Sequence, residues 1–146
     1  MKAISIIIAI TPKKAGKATI SFKYAGKKYT STVVIKKWEN PCKTFKLGKK
    51  DYAFYFEKSG TYQLHKQKKN QKVTVNIVAK KGWKLKKITN TGTKVKNKSK
   101  VSLEKWGIYG TGSNVEAEFY NTKTKETVRL SFGYSGFKQQ SGNIYW

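Results

Sequence analysis

The chain has 146 residues, enough for one ordinary domain or one small domain plus a fragment. It carries 32 basic against 7 acidic side chains, a formal charge of +25, yet 38% of its residues are hydrophobic and 14% aromatic, enough for a packed core. No run reaches the ~18 apolar residues of a membrane helix, and a single cysteine, Cys42, excludes an intrachain disulfide and any multi-cysteine metal site.

The charge is spread along the chain. Residues 1–38 hold nine lysines and no acid, and the remainder holds 23 basic and 7 acidic residues. Such a field favours anionic partners and opposes self-association. Its basic members are 31 lysines and one arginine, Arg129. Arginine presents a planar fork that reads phosphates and bases, whereas lysine is a hydrated, mobile point charge. The imbalance therefore points to diffuse attraction or solubility rather than to a base-reading surface.

The opening "MKAISIIIAI" mimics a signal peptide, but Thr11-Pro12-Lys13-Lys14 follows it instead of a small-residue cleavage site. Ile4 to Ile10 is therefore expected to be a strand. Ala18, Ile20, Phe22 and Tyr24 then alternate with Thr19, Ser21 and Lys23, the period of a strand with one buried face. The pattern resumes through Tyr29, Val33 and Ile35. A type II′ turn centred on Gly26-Lys27 is expected to pair Phe22 with Ser31, Ile20 with Val33 and Ala18 with Ile35. The lysines of this stretch fall in turns, on the outward face and at the strand exit, where they also discourage edge-to-edge pairing.

Trp38-Glu39-Asn40-Pro41 breaks the pattern and marks a boundary. Beyond it, strands are expected near 43–47, 52–57, 61–66, 72–79, 83–89, 100–105, 114–120 and 127–134. Val73, Val75 and Ile77 should point inward before the Lys80-Lys81-Gly82 turn, and Trp83 should join the core. Late in the chain, Val115, Ala117 and Phe119 alternate with Glu116, Glu118 and Tyr120. A turn centred on Lys123-Thr124 would set Phe119, Ala117 and Val115 opposite Val128, Leu130 and Phe132, and Glu118 opposite Arg129. Short strands separated by turns, with no long helical period, indicate an all-β, antiparallel, immunoglobulin-like β-sandwich. Ile20, Val33, Val115 and Phe132 are expected to share its interior.

The segment "ITPKKAGKATISFKYAGKKYTSTVVIKK", residues 10–37, resembles the C-terminal half of group 2 bacterial immunoglobulin-like domains in the order and spacing of its strand, turn, strand, hairpin and closing strand. The resemblance implies two parts: residues 1–38 as a partial module of three strands, and residues 39–146 as a β-sandwich module. "KKGWKLKKI" and "VEAEFYNTKTKETVRLSF" carry a weaker similarity to β modules appended to such repeats in surface proteins of Gram-positive bacteria. A complete immunoglobulin-like module is roughly twice as long as residues 1–38. These strands would therefore be completed by the rest of the chain or by strand exchange with another chain. The resemblance further implies a secreted or cell-surface location in a Gram-positive-type bacterium, with no catalytic residues to carry over.

No catalytic constellation is legible. Of the seven carboxylates, Glu116 and Glu118 alone share a strand face in the manner of a glycosidase pair, and a solvent-facing row amid lysines explains them more simply. His65, the only histidine, lies in a polar turn approach without a serine or cysteine beside it. No His/Asp/Glu cluster has metal-ligand spacing, and "GIYGTGSN" lacks the lysine of a phosphate loop. No cofactor is expected. Aromatic residues offer a different chemistry, since sugar faces stack on flat rings. Trp106 and Tyr109, flanked by glycines in "EKWGIYGTGSN", are the candidate ligand-binding rings, with Lys80, Lys81 and Lys84 as candidate contacts to an anionic ligand. Single-stranded nucleic acid is a third possibility, but the chain lacks a recognition helix and an arginine cluster. The expected function is a non-catalytic structural or adhesion module with diffuse affinity for anionic wall polymers or glycans, without membrane insertion; the alternative is a carbohydrate-binding module built around Trp106 and Tyr109.

Overall fold

The computed structural model of the protein describes residues 11, 13–64, 70–104 and 112–134. The chain divides into two compact units, Met1–Trp38 and Glu39–Trp146. The expected strand at residues 4–10 lies outside the described residues, as do His65, Trp106 and Tyr109.

In the first unit, β1 (Gly16–Tyr24) and β2 (Lys27–Ile35) form an antiparallel two-stranded sheet. Its register differs from the expected one by two residues. Phe22 faces Tyr29, Ile20 faces Ser31 and Ala18 faces Val33. The turn centres on Ala25-Gly26, with φ of 47° and 74°. Positive φ at both central positions is the type I′ geometry, whose twist matches the flanking strands; glycine serves as its second residue, not as the first residue of a type II′ turn. A two-residue slip preserves side-chain parity, so the apolar residues still gather on one face. That face is not a sealed core. Ile20 and Val33 are half-buried, while Phe22, Tyr24 and Tyr29 are 39%, 44% and 44% exposed. Phe22 and Tyr29 stack across the strands at 5.2 Å.

The second unit is an all-β sandwich. Its four-stranded sheet has the order β4 (Lys50–Asp51), β3 (Cys42–Leu47), β6 (Gln71–Ala79), β9 (Lys100–Leu103). Its five-stranded sheet has the order β5 (Thr61–Leu64), β11 (Thr127–Tyr134), β10 (Asn114–Asn121), β7 (Trp83–Asn90), β8 (Thr93–Val95). The chain starts in one sheet at β3 and crosses to the edge of the other at β5. There it pairs with β11 in parallel, the one departure from the expected antiparallel pairing among the described strands. The consecutive strands β6 and β7 lie in opposite sheets, and a buried tryptophan opens β7, both features of an immunoglobulin-like sandwich.

The late hairpin has the expected register: Phe119, Ala117 and Val115 face Val128, Leu130 and Phe132, and Glu118 faces Arg129. Alternation makes the core. Val115, Ala117, Phe119, Leu130 and Phe132 are fully buried in one sheet; Phe45, Val75, Ile77, Val101 and Leu103 meet them from the other. Val115 and Phe132 therefore occupy the interior of this unit, whereas Ile20 and Val33 belong to the separate hairpin sheet.

Asparagine side chains join pieces that strand ladders do not. The Asn90 amide accepts the Ser102 N–H and donates to the Ser102 and Asn114 carbonyls, all at 3.0 Å, linking the two sheets. Asn97 exchanges two hydrogen bonds with the backbone of Ile77, at 3.0 and 2.8 Å. Each carboxamide imitates a peptide unit and satisfies groups that burial would otherwise penalise.

Candidate functional site

Residues 52–57 do not form the expected strand. "DYAFYF" shows a period-two aromatic pattern, but Asp51 redirects it: its Oδ1 accepts the N–H groups of Phe45 and Ala53, each at 3.0 Å. This local bond competes with strand pairing and starts a 3-10 turn over Ala53–Phe56. At three residues per turn, positions i and i+3 lie on one side. Ala53 and Phe56 accordingly face the core, Phe56 packing on Phe45 at 5.0 Å, while Phe54 and Tyr55 project outward.

Asn40 clamps this turn from beneath. It is 3% exposed, accepts the Cys42 N–H at 2.9 Å, and donates at 2.9 Å both to the Ala53 carbonyl and to Glu57 Oε1. Glu57 also receives Lys80 Nζ at 3.4 Å. The Asn40 bond first, and the Lys80 charge after it, hold the Glu57 carboxyl below its ordinary range.

The result is an aromatic platform running from core to solvent. Tyr52 is buried against Phe132, with ring centroids 4.4 Å apart. Tyr55 and Tyr62 stack at 4.2 Å with planes 26° apart, and Phe54 meets Tyr55 edge-on at 6.0 Å and 72°. Lys50 Nζ lies 5.1 Å from the Tyr52 centroid and 5.9 Å from that of Tyr55, within cation–π range. Burial, and then the neighbouring Tyr55 and Tyr52, push the Tyr62 phenol above its usual range. Sequence reasoning missed this cluster because alternation made it look like a strand; the Asp two residues before Ala53 was the available signal.

The candidate lysines take different positions. Lys80 and Lys81 form the β6–β7 turn with Gly82, whose φ is +86°. Lys80 is half-buried and engaged by Glu57, whereas Lys81 and Lys84 are exposed. Trp106 and Tyr109, expected to act with them, lie outside the described residues. Exposed lysines elsewhere are distributed over both sheets, Lys43 and Lys46 on β3, Lys72 on β6 and Lys100 on β9 among them. On β7 a bulge skips Lys86 in the pairing with β10, so Lys86 and Lys87 are both exposed; Lys86 lies 5.2 Å over the Tyr120 ring.

Glu116 and Glu118 share the outward face of β10, in a shallow depression of about 200 Å³ lined also by Lys87, Thr89, Gly92 and Arg129. Glu118 lies 3.7 Å from Arg129, and Glu116 accepts from Asn114 Nδ2 at 3.2 Å. They are half-buried rather than fully solvated.

Cys42 is buried, and its thiol contacts the Thr44 carbonyl at 2.8 Å; burial pushes it up to about 12, the opposite of what a nucleophile needs. Among the described residues, no group of three His, Cys, Asp or Glu side chains is placed to hold a metal, and no helix is long and apolar enough to cross a membrane. Comparison of the chain with protein-family models, curated proteins and solved structures finds no match.

Proposed function

We propose that the chain is a non-catalytic, lysine-rich immunoglobulin-like module that holds anionic wall polymers or glycans by diffuse electrostatic attraction. The observation that carries this reading is the excess of cations along the chain, 32 basic against 7 acidic side chains in all and 23 against 7 in residues 39–146, with exposed lysines on strands of both sheets of the sandwich. Such a surface attracts polyanions of many shapes without a unique pocket. A structural or adhesive role at the surface of a Gram-positive-type bacterium, or in its secretions, is part of the proposal and rests on the resemblance of residues 10–37. The test is retention of the protein on an anionic matrix. Retention should fall steeply with salt; retention unchanged at ~1 M salt, where charges are screened beyond about 3 Å, would refute the reading.

A carbohydrate-binding role is the second reading. Its original candidates, Trp106 and Tyr109, lie outside the described residues. The exposed rings of Phe54 and Tyr55 favour it on other residues.

A further inference from the structure

Phe54 is 80% exposed, the most of any large hydrophobic side chain among the described residues. Packing does not require an aromatic ring there, because the inward positions of the 3-10 turn are filled by Ala53 and Phe56. The ring's surroundings are specific. Tyr55 stands nearly perpendicular to it, with ring planes 72° apart and centroids 6.0 Å apart. Tyr55 is backed by the stacked Tyr62, and Lys50 Nζ lies over the rings of Tyr52 and Tyr55. The geometry points to a subsite for one acidic sugar unit: a pyranose whose C–H face lies on Phe54, with its carboxylate or phosphate directed to Lys50.

This assignment rests on the polyanion-binding reading above and narrows it to acidic saccharide at one place. Diffuse lysines explain attraction to any anion but give no reason for a solvent-facing phenyl ring. A sugar unit uses both features, since its ring offers C–H bonds to an aromatic face while its acid group meets a cation. Single-stranded nucleic acid uses a succession of rings along a groove. Here Tyr55 and Tyr62 stack on one another, and Phe54 is the ring left most open.

The experiment titrates the full-length protein by calorimetry at low salt with three probes: a uronic-acid tetrasaccharide, the corresponding neutral tetrasaccharide, and polyphosphate. Phe54→Ala and Lys50→Gln are compared with the parent. Both side chains are exposed, and circular dichroism verifies that each variant folds. The expected result is that Phe54→Ala weakens the acidic tetrasaccharide about tenfold and polyphosphate less than twofold, a difference of 1.4 kcal/mol against one near zero. Lys50→Gln should weaken the acidic sugar several-fold and leave any weak binding of the neutral sugar unchanged. If Phe54→Ala leaves acidic-sugar binding unchanged, the subsite is refuted while the polyanion reading stands. Equal loss of polyphosphate on Phe54→Ala also refutes it, because a ring stacked on sugar should not sense a sugar-free chain. If the parent binds neither acidic probe, both readings fall together.

Discussion

Asn40→Ala is the perturbation that most sharply tests how the aromatic platform is held. Asn40 is 3% exposed and serves three groups at 2.9 Å: the Cys42 N–H, the Ala53 carbonyl and Glu57 Oε1. Truncation removes all three bonds. Glu57 is exposed and regains water at little cost, but the other two are backbone groups next to buried residues. A buried polar group left unsatisfied costs about 1–3 kcal/mol, so two of them, partly relieved by water entering the vacated space, give about 3 kcal/mol. For a sandwich of this size that corresponds to roughly 10–20 °C in melting temperature. Urea unfolding followed by far-UV circular dichroism and tryptophan fluorescence measures the loss, with the transition slope as a check that the unfolded ensemble is unchanged. Glu57→Ala is the control and should cost less than ~1 kcal/mol, as a partly exposed ion pair does. A loss below ~1 kcal/mol for Asn40→Ala at unchanged slope would refute the clamp.

Phe132→Ala should cost about 3–5 kcal/mol in the same unfolding assay, because Phe132 is fully buried and lies 4.4, 5.8 and 6.3 Å from the rings of Tyr52, Tyr62 and Phe45. Ala25→Asn should stabilise the hairpin by a few tenths of a kcal/mol or more, since asparagine tolerates the positive φ of this type I′ turn better than alanine; sharper cross-strand contacts between Phe22 and Tyr29 in NMR spectra would report it. The Cys42 thiol should resist alkylation in the folded protein at pH 8 and react once urea unfolds it. Its folded-state value of about 12 lies above the ordinary 9.0, so its contribution to stability is intact below pH 9 and is lost as pH rises from 9 towards 12. Comparing pH–stability curves with those of Cys42→Ala should isolate that slope, at most about 1.4 kcal/mol per pH unit. Glu57 has the opposite sign. Its lowered value adds stability above the ordinary 4.5 that is lost as pH falls through the folded value, so Glu57→Gln should flatten part of the acid limb.

Period-two alternation carried most of the sandwich. It located the strands that became β3, β6, β7, β10 and β11, and a correctly centred turn set the last hairpin's register residue for residue. The first hairpin shows where alternation stops being informative. Registers two residues apart keep the same faces, and the choice between them lies in the turn, where Ala25 adopts a positive φ that its residue type does not advertise. The three-residue strand β8 is too short to show a period and was not foreseen. The bulge at Lys86 has one trace in the sequence, since the apolar spacing widens from two residues between Trp83 and Leu85 to three between Leu85 and Ile88. The most consequential gap was residues 52–57. Tyr52, Phe54 and Phe56 read as one strand face, yet an Asp51 side chain bonded to two backbone N–H groups turns them into a 3-10 turn with Phe54 on the outside. Side-chain bonds such as these local ones of Asp51, and the longer-range ones of Asn40 over 13 and 17 residues, leave no periodic trace.

The central proposal is that excess lysine charge carried on β strands attracts polyanions. It is tested most directly by measuring the association constant for a poly(glycerol phosphate) chain from 50 to 400 mM sodium chloride. Release of condensed counterions from a polyanion makes the logarithm of the constant fall linearly with the logarithm of salt. The account requires a steep negative slope equivalent to several lysine–phosphate contacts. A slope near zero, with binding present throughout, would contradict it.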